Sequence, residues 1–303
     1  MFEQAGDHAA LASLWIATWA LEHFRCRFGA AADAAMRAVE HATAASEHYL
    51  VNFCRLNAAA GVVLGPMPVT EAFGWLDQQA ELLDPPPPWL DFWRPYLLPL
   101  IGRFDEARAA HSSEVERMRE RGDRLGLALL DGWEIEMQAG RFAKAVEAAR
   151  RSCTLLEEMQ ERSFWSTTAC QLAQALYCLG RYEEAENSAR QAADAGASDD
   201  VITQMLSRQV LAKVAARRGE FDTARTLAGE ALTLSRGMEA PHAQGEACLD
   251  AAEVLWLAGD HAAAIRHADR ASAFFKSKGA TVSLERAERL AETIAGHRGD
   301  MPA

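Results

Sequence analysis

At 303 residues the chain has the length of two ordinary domains, and it is half hydrophobic but only 8% aromatic, a balance that suits close-packed helices better than sheets. Its 31 Lys and Arg against 43 Asp and Glu leave a net charge of −12, so no general basic field attracts nucleic acid or an anionic membrane surface. Six cysteines, at 26, 54, 153, 170, 178 and 248, form no Cys-x-x-Cys pair and no close Cys/His cluster, which argues against a zinc motif or a dense disulfide framework and predicts reduced, mostly buried thiols of a cytoplasmic protein.

The stretch Ala9 to Leu21 is apolar, but Glu3, Asp7 and His8 precede it in place of a basic leader region, and it is too short to span a bilayer. It reads as a core helix over 7–25, followed by helices near 30–45, 47–64 and 69–83. Gly65-Pro66-Met67-Pro68-Val69-Thr70-Glu71-Ala72 reads as a helix-to-helix turn stretched by two residues, 37 before Gly102, with Gly29 a further 36 upstream. Residues 1–84 are thus expected to be divergent repeats. Pro85 to Pro88 then break the helix, because consecutive prolines lack amide donors and favour an extended segment. A short helix from Leu90 to Ile101, interrupted by Pro95 and Pro99, completes an irregular segment over 85–101. Trp75, Trp89 and Trp93 surround the prolines and are read as the apolar weight that folds this segment onto its neighbours, in preference to an exposed docking patch.

From residue 102 one phrase recurs: Gly102-Arg103-Phe104-Asp105-Glu106-Ala107, Gly140-Arg141-Phe142-Ala143-Lys144-Ala145, Gly180-Arg181-Tyr182-Glu183-Glu184-Ala185, Gly219-Glu220-Phe221-Asp222-Thr223-Ala224 and Gly259-Asp260-His261-Ala262-Ala263-Ala264. The glycines are 38, 40, 39 and 40 residues apart, a period that marks a stacked repeat protein. Glycine after a helical run takes the left-handed conformation that ends a helix, and acidic residues suit the start of the next one. The alanine five positions on is the same in all five copies and predicts a close helix crossing. Helices are expected near 125–139, 143–160, 164–179, 183–195, 202–218, 222–236, 242–258, 262–277 and 281–296, with 102–303 as the regular part of one continuous array over 1–303. Cys170 and Cys178, eight apart on one predicted helix, are expected to pack in the core.

The Gly-x-aromatic-x-x-Ala turn, the small residue seven before the glycine (Ala173, Ala212, Ala252) and the alanine twelve after it (Ala192, Ala231, Ala271) resemble the tetratricopeptide helix-pair pattern, with a period of 38–40 in place of 34. Trp133 departs from it, standing where the other copies have a small residue, so that repeat should pack differently. Gly65 to Ala72 and the ending Ala273-Phe274-Phe275-Lys276-Ser277-Lys278-Gly279-Ala280 through Ala291 also resemble the C-terminal repeat region of bacterial signalling and transcriptional regulators that carry a cyclase or ATPase module. The resemblance implies an all-α, right-handed superhelical solenoid of antiparallel helix pairs, acting as a non-catalytic scaffold that binds a protein or peptide. The alternative is a self-associating assembly region that makes contact through its ends.

No Gly-x-x-x-x-Gly-Lys-Ser/Thr, His-Glu-x-x-His or Gly-x-Ser-x-Gly motif occurs, so no catalytic, metal or cofactor residue is assigned. In tetratricopeptide arrays the first helix of each pair lines the concave face, and the resemblance places there the residues six and three before each turn glycine. Those six before are Glu134, Gln174, Lys213 and Glu253; those three before include Met137, Tyr177 and Trp256, with Ala216. A polar row beside an apolar one suits a peptide groove, and the same aromatics serve equally well to pack between repeats.

Overall fold

Gly102, Gly140, Gly180, Gly219 and Gly259 all take a left-handed backbone, with φ between 69° and 81°. At each, one helix stops and another starts two residues later, so the recurring phrase is a tight turn between antiparallel helices. The alanines five positions on (Ala107, Ala145, Ala185, Ala224 and Ala264) are completely buried, which is what lets the two helices of each pair cross closely.

The computed structural model describes residues 6–82 and 89–297. In chain order the helices are α1 (His8–Phe24), α2 (Phe28–Ala44), α3 (His48–Leu64), α4 (Val69–Leu82), α5 (Trp89–Leu97), a 3₁₀ turn (Leu98–Ile101), α6 (Phe104–Arg121), α7 (Arg124–Leu129), α8 (Trp133–Gln138), α9 (Phe142–Glu158), α10 (Arg162–Cys178), α11 (Tyr182–Ala195), α12 (Val201–Arg217), α13 (Phe221–Ser235), α14 (Pro241–Leu257), α15 (His261–Lys278) and α16 (Thr281–His297). The described residues contain no strand. The fold is an all-α solenoid of helix pairs. The polyproline break expected at Pro85 to Pro88 lies outside the described residues, as does the side chain of Trp89; Trp75 and Trp93 pack half-buried against the main core.

Three expectations need correction. The helix expected over 125–139 is broken into α7 and α8, with Gly132 left-handed at φ 78°. The cause lies in side chains from the preceding helices: the Tyr96 hydroxyl donates to Leu129 O at 2.7 Å and His111 Nε2 bonds Leu130 O at 3.0 Å, taking carbonyls that a continuous helix would use itself. Gly29 is no turn residue, for it lies in the first turn of α2. The left-handed positions of the first turns are Cys26 (φ 56°) and Ser46 (φ 60°), neither of them glycine. Pro95 lies inside α5, and only Pro99 accompanies the change to 3₁₀ geometry.

The array does not stay open. Val62, Val69, Leu76, Leu97 and Leu100 from the first hundred residues share one buried cluster with Leu249, Phe275, Ala280 and Ala287 from the last sixty. Two charged side chains cap helix ends across this junction. Glu239 accepts from Ala30 N at 3.0 Å at the start of α2, which has no side-chain cap of its own. Lys278 Nζ donates to Gly65 O and Met67 O, both at 2.7 Å, just past the end of α3. Burial pushes this ammonium down to about 8.

Candidate inner-face binding site

The first helices of successive pairs touch one another directly, α10 against α12 and α12 against α14, with the second helices outside them. That contact layer is the inner face of the solenoid. Along α12 and α14 the side chains facing it recur every three or four residues, as one helical stripe requires.

Four of the expected residues meet there. Lys213 Nζ donates to Gln174 Oε1 and to Asp250 Oδ1, both at 2.7 Å, while Gln174 Nε2 reaches Asp250 Oδ2 at 3.3 Å. Tyr177 OH donates to Glu253 Oε1 at 2.6 Å and accepts from Arg217 Nε at 2.9 Å, and Arg217 Nη2 closes the triangle on Glu253 at 2.5 Å. The Lys213 ammonium also lies 4.6 Å from the centre of the Tyr177 ring, a cation–π contact that joins the two groups. Burial opposes the Lys213 charge, but Asp250 and Glu253 beside it hold its pKa above the ordinary lysine value. Burial pushes Asp250 the other way, toward the neutral acid. Both of its oxygens accept hydrogen bonds, which only the carboxylate does well, so the ion pair prevails.

A second set lies beside the first, where Glu246 stands one turn before Asp250 on α14. Gln138 Nε2 donates to Glu134 Oε1 at 2.8 Å, and its Oε1 accepts from Ser283 Oγ at 3.2 Å. His242 Nε2 lies 3.1 Å from Ser283 Oγ, and Arg286 pairs with both oxygens of Glu246. Burial opposes the Glu246 charge, and Arg286 overrides it and holds the carboxyl below its usual range. These bonds tie α8 to α14 and α16 across 104 to 145 residues of chain.

Glu134 therefore belongs to a different part of the inner face from Gln174, Tyr177, Lys213 and Glu253. Met137 packs on the apolar cluster that contains Tyr177, and Trp256 is half-buried one turn beyond Glu253. Missing from the sequence reading were Gln138, Arg217, His242, Glu246, Asp250, Ser283 and Arg286. Some could have been found: Asp250 is nine before its turn glycine and Arg217 two before its own, on the same helical stripe as the residues at six and three. Cys178, expected in the core, is instead exposed. The other five cysteines are buried.

Chemically, the inner face is a set of paired charges with hydroxyl and amide groups between them. The two best-formed hollows among the described residues are small; the larger holds about 10 Å³, room for one water, and is lined by Tyr96, His111, Asp131 and Glu134. No group of three or more His, Cys, Asp or Glu among them is placed to hold a metal ion, and no helix among them is long and apolar enough to cross a membrane.

Helix pairs joined by left-handed glycine turns, with a polar inner layer, define a tetratricopeptide-like α-solenoid. No protein-family model and no curated protein matches the chain. Among solved structures it is similar to the Rap protein complexed with the competence and sporulation factor, with a TM-score of 0.54 and 14% identity over 81% of this chain and 76% of that one. It is similar also to the apo quorum sensor NprR from B. thuringiensis (TM-score 0.55, 12% identity, 97% of this chain and 81% of that one). A third is the STAND signal-transduction ATPase with a tetratricopeptide repeat sensor from Pyrococcus horikoshii (TM-score 0.55, 12% identity, 86% of this chain but 40% of that one). At these identities the likeness is one of fold.

Proposed function

We propose that the chain is a non-catalytic scaffold that binds a peptide or an extended protein segment on its inner face, as the sensing or regulatory part of a bacterial signalling system. The observation that carries this reading is the network of Gln174, Tyr177, Lys213, Arg217, Asp250 and Glu253. It joins side chain to side chain across three successive inner helices. Gln174, Tyr177, Lys213 and Asp250 are buried within it, and the link between Arg217 and Glu253 at its more exposed edge is the one that a ligand's carboxylate or ammonium can exchange without breaking a helix. Met137 and Trp256 supply apolar contact beside it, and Glu134 extends the polar row. The solved structures with this fold include a Rap protein bound to a competence and sporulation factor and a quorum sensor, which supports a peptide ligand. A cytoplasmic setting keeps the six free thiols reduced. Neither nucleic acid nor a membrane surface is expected as a partner of a chain with net charge −12.

The test is selection of binders from a random peptide library, followed by calorimetric titration of the selected peptide. Tyr177→Ala combined with Trp256→Ala is expected to weaken binding by at least about tenfold, as loss of interface aromatics does. Arg217→Met, at a half-exposed position, checks the same face with less disturbance of packing. Failure of the library to yield a saturable binder, or affinity unchanged in both variants, sinks the inner-face assignment.

A further inference from the structure

A solenoid helix ordinarily turns a polar outer face to water. The sequence of α1, HAALASLWIATWALEHF, contains one carboxylate and no Lys or Arg. Its inner side is already occupied: Leu11 and Ala12 are buried, Trp15 and Ile16 pack on the cluster of Val39 and Cys54, and Trp19 meets Phe53 edge to face. Its outer side is apolar as well. Leu14, Leu21 and Phe24 are 53%, 59% and 61% exposed, and among the large hydrophobic side chains of the described residues only Tyr49 and Leu82 are more exposed than these three. Ala17 between them is exposed too. The spacing Leu14, Ala17, Leu21, Phe24 is three, four, three, the alternation of a two-helix coiled-coil seam.

We propose that this seam is a dimer interface, on which α1 of a second copy lies antiparallel. Three features favour an identical helix as the occupant. With the two-fold axis at Ala17, the two small Ala17 residues face each other and let the helices approach closely. Half-buried Ala10 then lies level with the other copy's Phe24, a small residue against a large one, and Leu14 comes within one residue of the level of its Leu21. The ends match in charge: exposed Asp7 stands before α1, while Arg25 and Arg27, 61% and 47% exposed, follow it and share the single carboxylate of Glu22, so antiparallel pairing sets a second acid beside two bases at both ends. Helix α16 offers no such surface, since Glu285, Glu288, Arg289 and Glu292 stand at its exposed positions. The inner face is untouched by this contact, so the two sites are independent.

Sedimentation of the full chain over about 1 to 100 µM tests it. A dimer is expected, and Leu21→Glu is expected to weaken it by more than about tenfold while leaving the far-UV circular dichroism unchanged. In a Cys178→Ser background, Ala17→Cys is expected to form an interchain disulfide under mild oxidation, whereas Ser13→Cys, exposed but one turn from the two-fold axis so that its two copies stand about 12 Å apart along the helices, is not. A monomer throughout that range, a dimer indifferent to Leu21→Glu, or equal cross-linking from positions 13 and 17 overturns the proposal, as does finding that the seam is occupied by a different protein in the purified material.

Discussion

Asp131 stands in the break between α7 and α8. Burial pushes its carboxyl from the ordinary 3.8 up to about 7, against the hydrogen bond it accepts from Trp133 N at 2.8 Å. A carboxyl raised in the folded state contributes stability below its unfolded pKa and loses that contribution as the pH climbs through the folded value. Asp131→Asn keeps the acceptor for Trp133 N and removes the charge. Urea melts are expected to show the variant gaining about 1–2 kcal/mol on wild type between pH 5 and pH 8, discounted for partial solvent access; parallel curves at the two pH values would show that Asp131 does not titrate there. The same scale shows what a sequence discloses. The turn glycines and the alanines behind them were legible because a left-handed φ and a missing side-chain volume are local demands. The pairing of Lys213 with Asp250 was not, because its partner is 37 residues away and the next position on the stripe, Glu253, is equally acidic.

At the level of helices, α14 and α15 depend on a close approach. A Cβ on Gly245 would come within 2.5 Å of the Phe275 ring, which is fully buried. Gly245→Ala therefore trades a better intrinsic helix former for overpacking, and the clash is expected to win by about 1–3 kcal/mol in equilibrium unfolding. A stabilised variant would mean that the ring has room to move. Most helix positions are legible from periodicity, to within one residue at the ends of α3 and α14, since buried stripes fix them, while the polar α6 (Phe104–Arg121) has no place among the expected helices. The break at Gly132 escaped because it answers to Tyr96 and His111, which reach it from two earlier helices, and no local pattern over 125–139 announces them.

Over the whole molecule, closure of the array distinguishes this chain from an open solenoid. Glu239→Ala leaves the amide of Ala30 without its cap and is expected to cost about 0.5–2 kcal/mol. Hydrogen exchange should report the loss in the first turn of α2 and at the 236–241 turn, with α10 and α11 unchanged. Uniform acceleration in all helices would argue that the cap acts on global stability alone. Nothing in the repeat pattern foretold closure, because the contacts joining α3 and α4 to α14, α15 and α16 obey no period and their residues read as ordinary core.

Joining the ends also constrains how the protein can change in length. An open array gains or loses a unit of some forty residues with little penalty, since each unit needs only its neighbours. Here Lys278 must arrive at Gly65 and Met67, and Phe275 beside Leu76, after a set number of superhelical steps. Duplicating or deleting a single unit between them would carry those residues past each other, so the count of repeats is itself a part of the fold.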